Sequence, residues 1–132
     1  MSAASVLARG RAAAEGPMVD SCTVQRAVGQ HVDPSTKQVV LDFSTIYAGR
    51  AKVQATSTSG VEPQQPGDAV TVVGLEVHLP VAGSEGIIEG DLITITSSQH
   101  DSDLVGRQFW VSALHHKSFA TARRLPCVEV VN

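Results

Sequence analysis

The chain has 132 residues, of which 42% are hydrophobic and 4% aromatic, and its 10 basic and 13 acidic residues give a net charge of −3. This length predicts a single domain with one hydrophobic core that folds without a metal or a disulfide. The acidic balance and the few aromatic residues argue against nucleic acid as the main partner, because such binding depends on many Lys and Arg contacts to phosphate and on aromatic stacking.

Residues 1–17 are predicted to form an N-terminal helical arm. Alanines dominate from Ala3 to Glu15, and Gly16-Pro17 ends the pattern, which indicates a short helix. The apolar face of this helix is thin, so it needs a neighbour, either its own barrel or another subunit. The segment has no continuous apolar stretch for export, and no membrane span is predicted, which favours a reducing cytosol.

Three strands are predicted between residues 18 and 55. Asp33-Pro34-Ser35-Thr36 indicates a hairpin corner at residues 31–38, because Asp bonds its own backbone and Pro presets the turn. The alternation after this corner predicts that Leu41 and Phe43 face the core. A second turn is predicted at Tyr47-Ala48-Gly49. The predicted strands are 18–26, 39–45 and 50–55, the last with Ala51, Val53 and Ala55 facing inward.

Residues 56–68 form a polar stretch rich in Ser, Gly, Pro and Gln, in which only Val61 is suited to burial. The stretch is too long for an ordinary hairpin connection. Loops of this length in a small domain are usually either functional or disordered when alone. The sequence therefore predicts one long loop in the middle of the chain.

The second half predicts a strand at 70–80, with Leu75, Val77 and Leu79 inward and His78 outward, and then a three-stranded antiparallel meander. The meander strands are 92–96, 108–116 and 124–131, which follow turns at Glu89-Gly90-Asp91 and Gly106-Arg107 and a polar corner. The strands predicted along the whole chain number six or seven. The predicted fold is mainly β, with a short N-terminal helix. The sheet is expected to close as a small antiparallel β-barrel, with a compact sandwich as the alternative, because closure removes edge strands.

No catalytic or cofactor-binding motif is recognisable, which predicts that the protein is not an enzyme. His115 and His116, with His78 and Cys127, suggest zinc, but neighbours on a strand point to opposite faces and the spacing matches no metal motif. Cys22 and Cys127 are predicted to be buried thiols, and a disulfide between them stays open. Asp91, Asp101 and Asp103 each fall at a turn, where Asp is expected for backbone reasons.

Four residues of the last third are candidates for an interface. Trp110 alternates with the predicted core residues around it, and Leu114 shares its side, so a large apolar surface is predicted to lie outside the core. A second core layer beneath the N-terminal helix is the alternative. Arg123 and Arg124 form either a solvated corner or a contact to an acidic neighbour.

These segments, in their order, resemble tailed-phage proteins of the head–tail joint. The C-terminal half resembles head–tail joining proteins, and the N-terminal half resembles head-to-tail stopper proteins. The segments that carry the resemblance are RGRAAAE (9–15), MVDSCTV (18–24), DPST (33–36), YAGRAKVQ (47–54), EGDLITIT (89–96), LVGRQFWV (104–111) and ARRLPCVEV (122–130).

The resemblance implies a virion protein of the phage neck, assembled in the host cytoplasm. It implies a ring, dodecameric in relatives, with the head–tail adaptor or portal on one side and the tail terminator or tail tube on the other. Such a ring closes the DNA channel after packaging and provides the docking surface for the tail. DNA passes through without specific binding, and no membrane is involved. The alternatives are a tail terminator or tail-completion ring and a monomeric barrel that binds nucleic acid or a ligand.

The long polar loop is the predicted channel or inter-subunit loop. Glu62 and Asp68 are the only charges of residues 56–68, so DNA would pass with little attraction. The alternative is a disordered surface loop. The residues assigned to the channel loop are Ser57, Thr58, Ser59, Gly60, Val61, Glu62, Pro63, Gln64 and Gln65.

Overall fold

The structure, a computed structural model, describes residues 2–57, 73–114 and 116–130. Within these residues, one α-helix precedes six β-strands, and a 3₁₀ turn at Ser102–Leu104 lies between the fourth and fifth strands. The elements are α1 (Ala3–Glu15), β1 (Asp20–Val32), β2 (Val39–Ser57), β3 (Val73–Leu79), β4 (Leu92–Ser98), β5 (Gln108–Val111) and β6 (Arg123–Glu129).

The six strands form one antiparallel sheet that closes on itself in the order β1-β2-β3-β6-β5-β4. Closure comes from β1, which pairs with β2 along one edge and with β4 along the other. The pairs β4–β5 and β5–β6 give the predicted meander at the C-terminal end. The predicted fold class, mainly β with six antiparallel strands and a short N-terminal helix, is therefore confirmed.

The core consists of the inward-facing side chains of all six strands. The largest fully buried side chains include Phe109, Leu79, Ile93, Ile95 and Leu125. Cys22 and Cys127 also lie in this core and are free thiols. Burial raises the pKa of each thiol to about 12, so neither ionises appreciably at neutral pH.

Helix α1 has the predicted bounds and packs against its own chain. The Ser2 hydroxyl caps its N-terminus by accepting from the Ser5 amide (3.2 Å). Arg11 Nε donates to the Ala120 carbonyl (3.1 Å), and Arg50 Nη2 donates to the Glu15 carbonyl. These contacts tie the C-terminal half of the helix to the rest of the chain. No helix among the described residues is long and apolar enough to cross a membrane.

The predicted turn at Tyr47-Ala48-Gly49 is wrong, because β2 continues through it. Tyr47 is buried in the core, and its hydroxyl donates to the Arg50 carbonyl (2.7 Å). A Cβ on Gly49 would stand 2.8 Å from that hydroxyl, so the glycine permits a close approach of the phenol. The strand absorbs the irregularity as a bulge, since Val24 pairs with Tyr47 and Gln25 with Thr45, which leaves Ile46 unpaired.

Other orientations predicted from alternation are also wrong. Leu41 and Phe43 are exposed, because β1 and β2 run beyond the barrel and no other strand covers them there. Ala55 is exposed as well. His78 does alternate with the core residues Val77 and Leu79, so it faces away from the core as predicted, but it is buried there. The strand predicted at 108–116 ends at Val111, and Leu114 is partly buried against the core.

Candidate functional site

A two-stranded ribbon, residues 27–44, extends beyond the barrel and is called the hairpin extension below. Strand β4 pairs with β1 only over Asp20 to Gln25, and β3 pairs with β2 only over Lys52 to Ser57. In the hairpin extension, β1 and β2 therefore pair only with each other. Both outer edges of this ribbon carry backbone groups that no neighbouring strand of the sheet bonds.

The register gives the hairpin extension one apolar face and one polar face. Residues directly opposite each other in an antiparallel pair share a face. On one face Phe43 lies opposite Ala27, Leu41 opposite Gln30, and Val39 opposite Val32. The exposed fractions there are 37% for Phe43, 49% for Leu41, 61% for Val39 and 58% for Val32. This apolar face is uncovered.

The opposite face is more polar. It carries the register pairs Arg26–Ser44, Gly29–Asp42 and His31–Val40. His31 Nδ1 lies 2.7 Å from Asp42 Oδ1, which links the two strands by a cross-strand contact. An unpaired residue, Val28, bulges from β1 between the pairs Ala27–Phe43 and Gly29–Asp42. The bulge sets the register from which the two faces follow.

The tip of the hairpin extension is the predicted corner, and the structure confirms it. The Asp33 carboxylate accepts from the Ser35 amide (2.9 Å) and the Ser35 hydroxyl (2.7 Å). These hydrogen bonds lower the pKa of Asp33, because they stabilise its charged form. Lys37 adopts a positive φ of 61°, and its amide donates to the Asp33 carbonyl (2.8 Å). The turn is thus fixed by local bonds.

The base of the hairpin extension is fixed by a bidentate ion pair. Arg26 Nε and Nη2 donate to Asp91 Oδ1 and Oδ2, both at 2.9 Å, and Nη2 also donates to the Gly86 carbonyl (2.6 Å). Asp91 is buried and also accepts from the Ile88 amide (2.9 Å). The backbone role predicted for Asp91 is therefore present, but the partner Arg26, 65 residues away, has no signal in the sequence.

The predicted interface residues do not form one surface. Trp110 is exposed and lies opposite Val128, another exposed apolar residue, on the outer side of the barrel. Arg123 is held within the chain, since its Nε donates to the Ser84 hydroxyl (2.8 Å), whereas Arg124 is exposed. Leu114 is partly buried against the core and does not share the exposed surface of Trp110. The interface role of these residues stays a prediction.

A second apolar surface is a groove of about 490 Å³ between α1 and the segment at 119–121. Val6 and Phe119 line it with exposed side chains, and Leu7 and Gly10 contribute to its helical wall. Gly10 allows the close approach, because a Cβ there would stand 2.8 Å from Thr121 Cγ2. The groove is open and apolar.

Among the described residues, His78 has a buried ring nitrogen without a hydrogen bond. Its Nε2 is buried and lies 3.6 Å from Glu76 Oε1, too far for a hydrogen bond. Burial lowers the pKa of His78. Within the described parts of the chain, no three His, Cys, Asp or Glu side chains come together as a metal site would require. His115 lies outside the described residues, so that part of the zinc reading is untested.

Most residues of the predicted channel loop also lie outside the described residues. Strand β2 ends at Ser57, and β3 begins at Val73. The remaining residues assigned to that loop, Thr58 to Gln65, are not among the described residues.

The fold and the exposed surfaces define a small closed antiparallel barrel with an N-terminal helix and an amphipathic hairpin extension. The chain belongs to the family described as "Family of unknown function (DUF6093)", and the match covers residues 10–128. That range includes the hairpin extension and all six strands apart from Glu129, the last residue of β6. Comparison with curated proteins found no match, and comparison with solved structures found none either.

Proposed function

We propose that the protein is a structural subunit of the phage neck, a head-to-tail stopper. Copies of the chain would form a ring below the portal and adaptor that closes the DNA channel after packaging and receives the tail. The resemblance of seven ordered segments between residues 9 and 130 motivates this proposal. The work of such a protein is geometric and needs no covalent chemistry, since a symmetric ring multiplies each weak contact.

The observation that best supports an assembly role is the hairpin extension. Its apolar face exposes Val32, Val39, Leu41 and Phe43 on a ribbon that contributes no residue to the core cluster. An isolated two-stranded hairpin is marginally stable in water, and contiguous exposed apolar surface commonly marks an interaction site. A subunit whose role is to contact other subunits accounts for both properties.

The test is reconstitution on phage heads. Purified protein is added to DNA-filled, tailless heads that lack it, the portal vertex is imaged by electron microscopy, and DNA retention is assayed. We expect a new ring of density at the vertex and improved retention. Binding to isolated tail tubes, with no density at the vertex, would instead support a tail terminator and remove the stopper proposal.

The channel loop is tested in the same assay. Deletion of Ser57 to Gln65 is expected to leave the barrel folded while heads leak DNA or fail to join tails. A variant that keeps all nine residues in shuffled order is the matched control for loop length. Unimpaired particle yield with the deletion would show that the loop has no channel role.

A further inference from the structure

The apolar face of the hairpin extension and the apolar groove beside α1 are two uncovered surfaces of one chain. Neither surface covers the other within this chain, because Leu41, Val6 and Phe119 all remain exposed.

The charges around the two surfaces are complementary. Residues 2–17 and 116–124, the two segments that contribute to the groove, carry Arg9, Arg11, Lys117, Arg123 and Arg124 against Glu15, a net charge of +4, and Glu76 lies beside Lys117 and Arg124. The hairpin extension has two acidic residues, Asp33 and Asp42, and one basic residue, Lys37, a net charge of −1, with Asp42 on its polar face. The opposite net charges favour contact between extension and groove, and like charges oppose contact between two grooves.

We propose, as a deepening of the proposed ring, that the hairpin extension of one copy docks with its apolar face in the groove of the next copy. Leu41 and its face neighbours would lie against Val6 and Phe119 of the adjoining subunit. The contact joins two different surfaces, so it is heterologous and leads to a ring or an open chain of subunits. A second copy is thus the partner for the face that the barrel leaves uncovered.

A single contact of this kind is small. Four side chains that are about half exposed offer on the order of 200 Å² of apolar surface, well below the roughly 600 Å² that each partner buries in a stable interface. One pair of copies is therefore weakly bound in dilute solution. Repetition around a ring, in which every subunit gives an extension and receives one, supplies the missing stability.

Site-directed crosslinking tests the pairing. The native Cys22 and Cys127 are buried, so surface cysteines can be introduced without interference. A Leu41→Cys/Val6→Cys chain is treated with a short bis-maleimide at high protein concentration and again after addition to phage heads. The matched control is Val40→Cys/Val6→Cys, because Val40 neighbours Leu41 in sequence but lies on the other face. A thermal melt of each variant verifies the fold.

We expect a ladder of linked oligomers from the Leu41→Cys/Val6→Cys chain, with roughly tenfold more product than from the Val40→Cys control, since linking requires close and correctly directed side chains. Mixing the Leu41→Cys and Val6→Cys single variants should stop the ladder at the dimer. Equal linking of both double variants, or no linking in solution and on heads, would overturn the docking proposal.

The outcomes separate the two proposals. Vertex density without the Leu41–Val6 link would retain the stopper function and reject the docking mode. Linked oligomers in solution without vertex density would retain the docking mode and reject the stopper function. If Leu41→Asp abolishes vertex density while Leu41→Cys and Val6→Cys never link, the extension binds the portal side and not a second copy.

Discussion

Arg26 and Arg107 both pair with carboxylates, but their surroundings differ. Arg26 contacts Asp91, whose side chain is 2% exposed, whereas Arg107 and Glu129 form an exposed pair at 2.7 Å. Removing one partner of a buried ion pair leaves the charge of the other partner uncompensated. Because Arg26 is one-third exposed, water already solvates part of this pair, which reduces the loss of stability. We expect Arg26→Met to lower the urea midpoint of unfolding clearly, because the buried Asp91 carboxylate loses its partner. The matched Arg107→Met should change the midpoint little, because exposed ion pairs contribute little to stability.

Urea unfolding at neutral pH measures both changes, because a shift of the midpoint at constant slope reports stability alone. Equal losses in the two variants would mean that the Arg26 pair does not hold the base of the hairpin extension.

His78 makes stability depend on pH. Burial lowers its pKa, and Arg124 and Lys52 act in the same direction, while Glu76 opposes them. The unfolded chain, with an ordinary pKa near 6.5, therefore binds a proton more readily than the folded chain. The stability associated with neutral His78 is present above that pKa and is lost as the pH falls below it.

We expect His78→Gln to reduce the loss of stability between about pH 7 and pH 5, the range in which histidine titrates. His100→Gln, at an exposed histidine, is the control. Urea midpoints at the two pH values provide the measurement. A pH dependence that is the same in His78→Gln and the parent would assign the effect to other groups.

At the scale of the elements, the β1–β2 ladder contains two glycines that differ in the space available for a side chain. A Cβ on Gly49 would stand 2.8 Å from the Tyr47 hydroxyl, whereas a Cβ on Gly29 meets nothing within 4 Å. We expect Gly49→Ala to destabilise the protein by about 1–2 kcal/mol, because the buried phenol must move. Gly29→Ala should be neutral or stabilising by up to about 1 kcal/mol. Thermal melts of the two variants test this contrast, and a neutral Gly49→Ala would refute it.

Local patterns predicted most of the elements. The alanine-rich segment with its Gly-Pro stop predicts α1 with the observed bounds, and Asp33-Pro34 predicts the hairpin corner that Ser35 stabilises. The turn at Tyr47 to Gly49 was mispredicted because glycine has two uses. At Gly49 it leaves room for the ring of Tyr47 two residues earlier, a packing requirement that composition cannot distinguish from a turn.

The candidate surfaces were harder to predict. Alternation correctly separates Leu41 and Phe43 from Asp42, but it indicates two faces without saying which one a core covers. Whether a face is covered depends on how far β3 and β4 extend beside β1 and β2, which is a property of the whole sheet. The apolar groove depends likewise on α1 meeting residues about 110 positions later, as in the contact of Arg11 with Ala120.

At the scale of the whole molecule, the barrel and the hairpin extension are separable. The core cluster includes Val24 and Tyr47 but no residue between them in sequence, apart from the partly buried Ile46. A variant in which Asn-Gly replaces residues 28–42 would connect Ala27 to Phe43, which already pair, through a two-residue turn suited to the strand twist. We expect this variant to fold with Cys22 and Cys127 still unreactive toward thiol reagents, because both remain buried.

The same variant is expected to lose assembly. Without the hairpin extension there is no apolar face to enter a neighbour's groove, so ring density at the vertex should disappear. Leu41→Asp, which keeps the length of the extension and charges its apolar face, should fail in the same way. Thiol labelling and electron microscopy of the vertex measure the two halves of this prediction. Rapid labelling of Cys22 and Cys127 would mean that the barrel needs the hairpin extension to fold. A ring built from shortened subunits would show that other surfaces, such as the one around Trp110, join the copies.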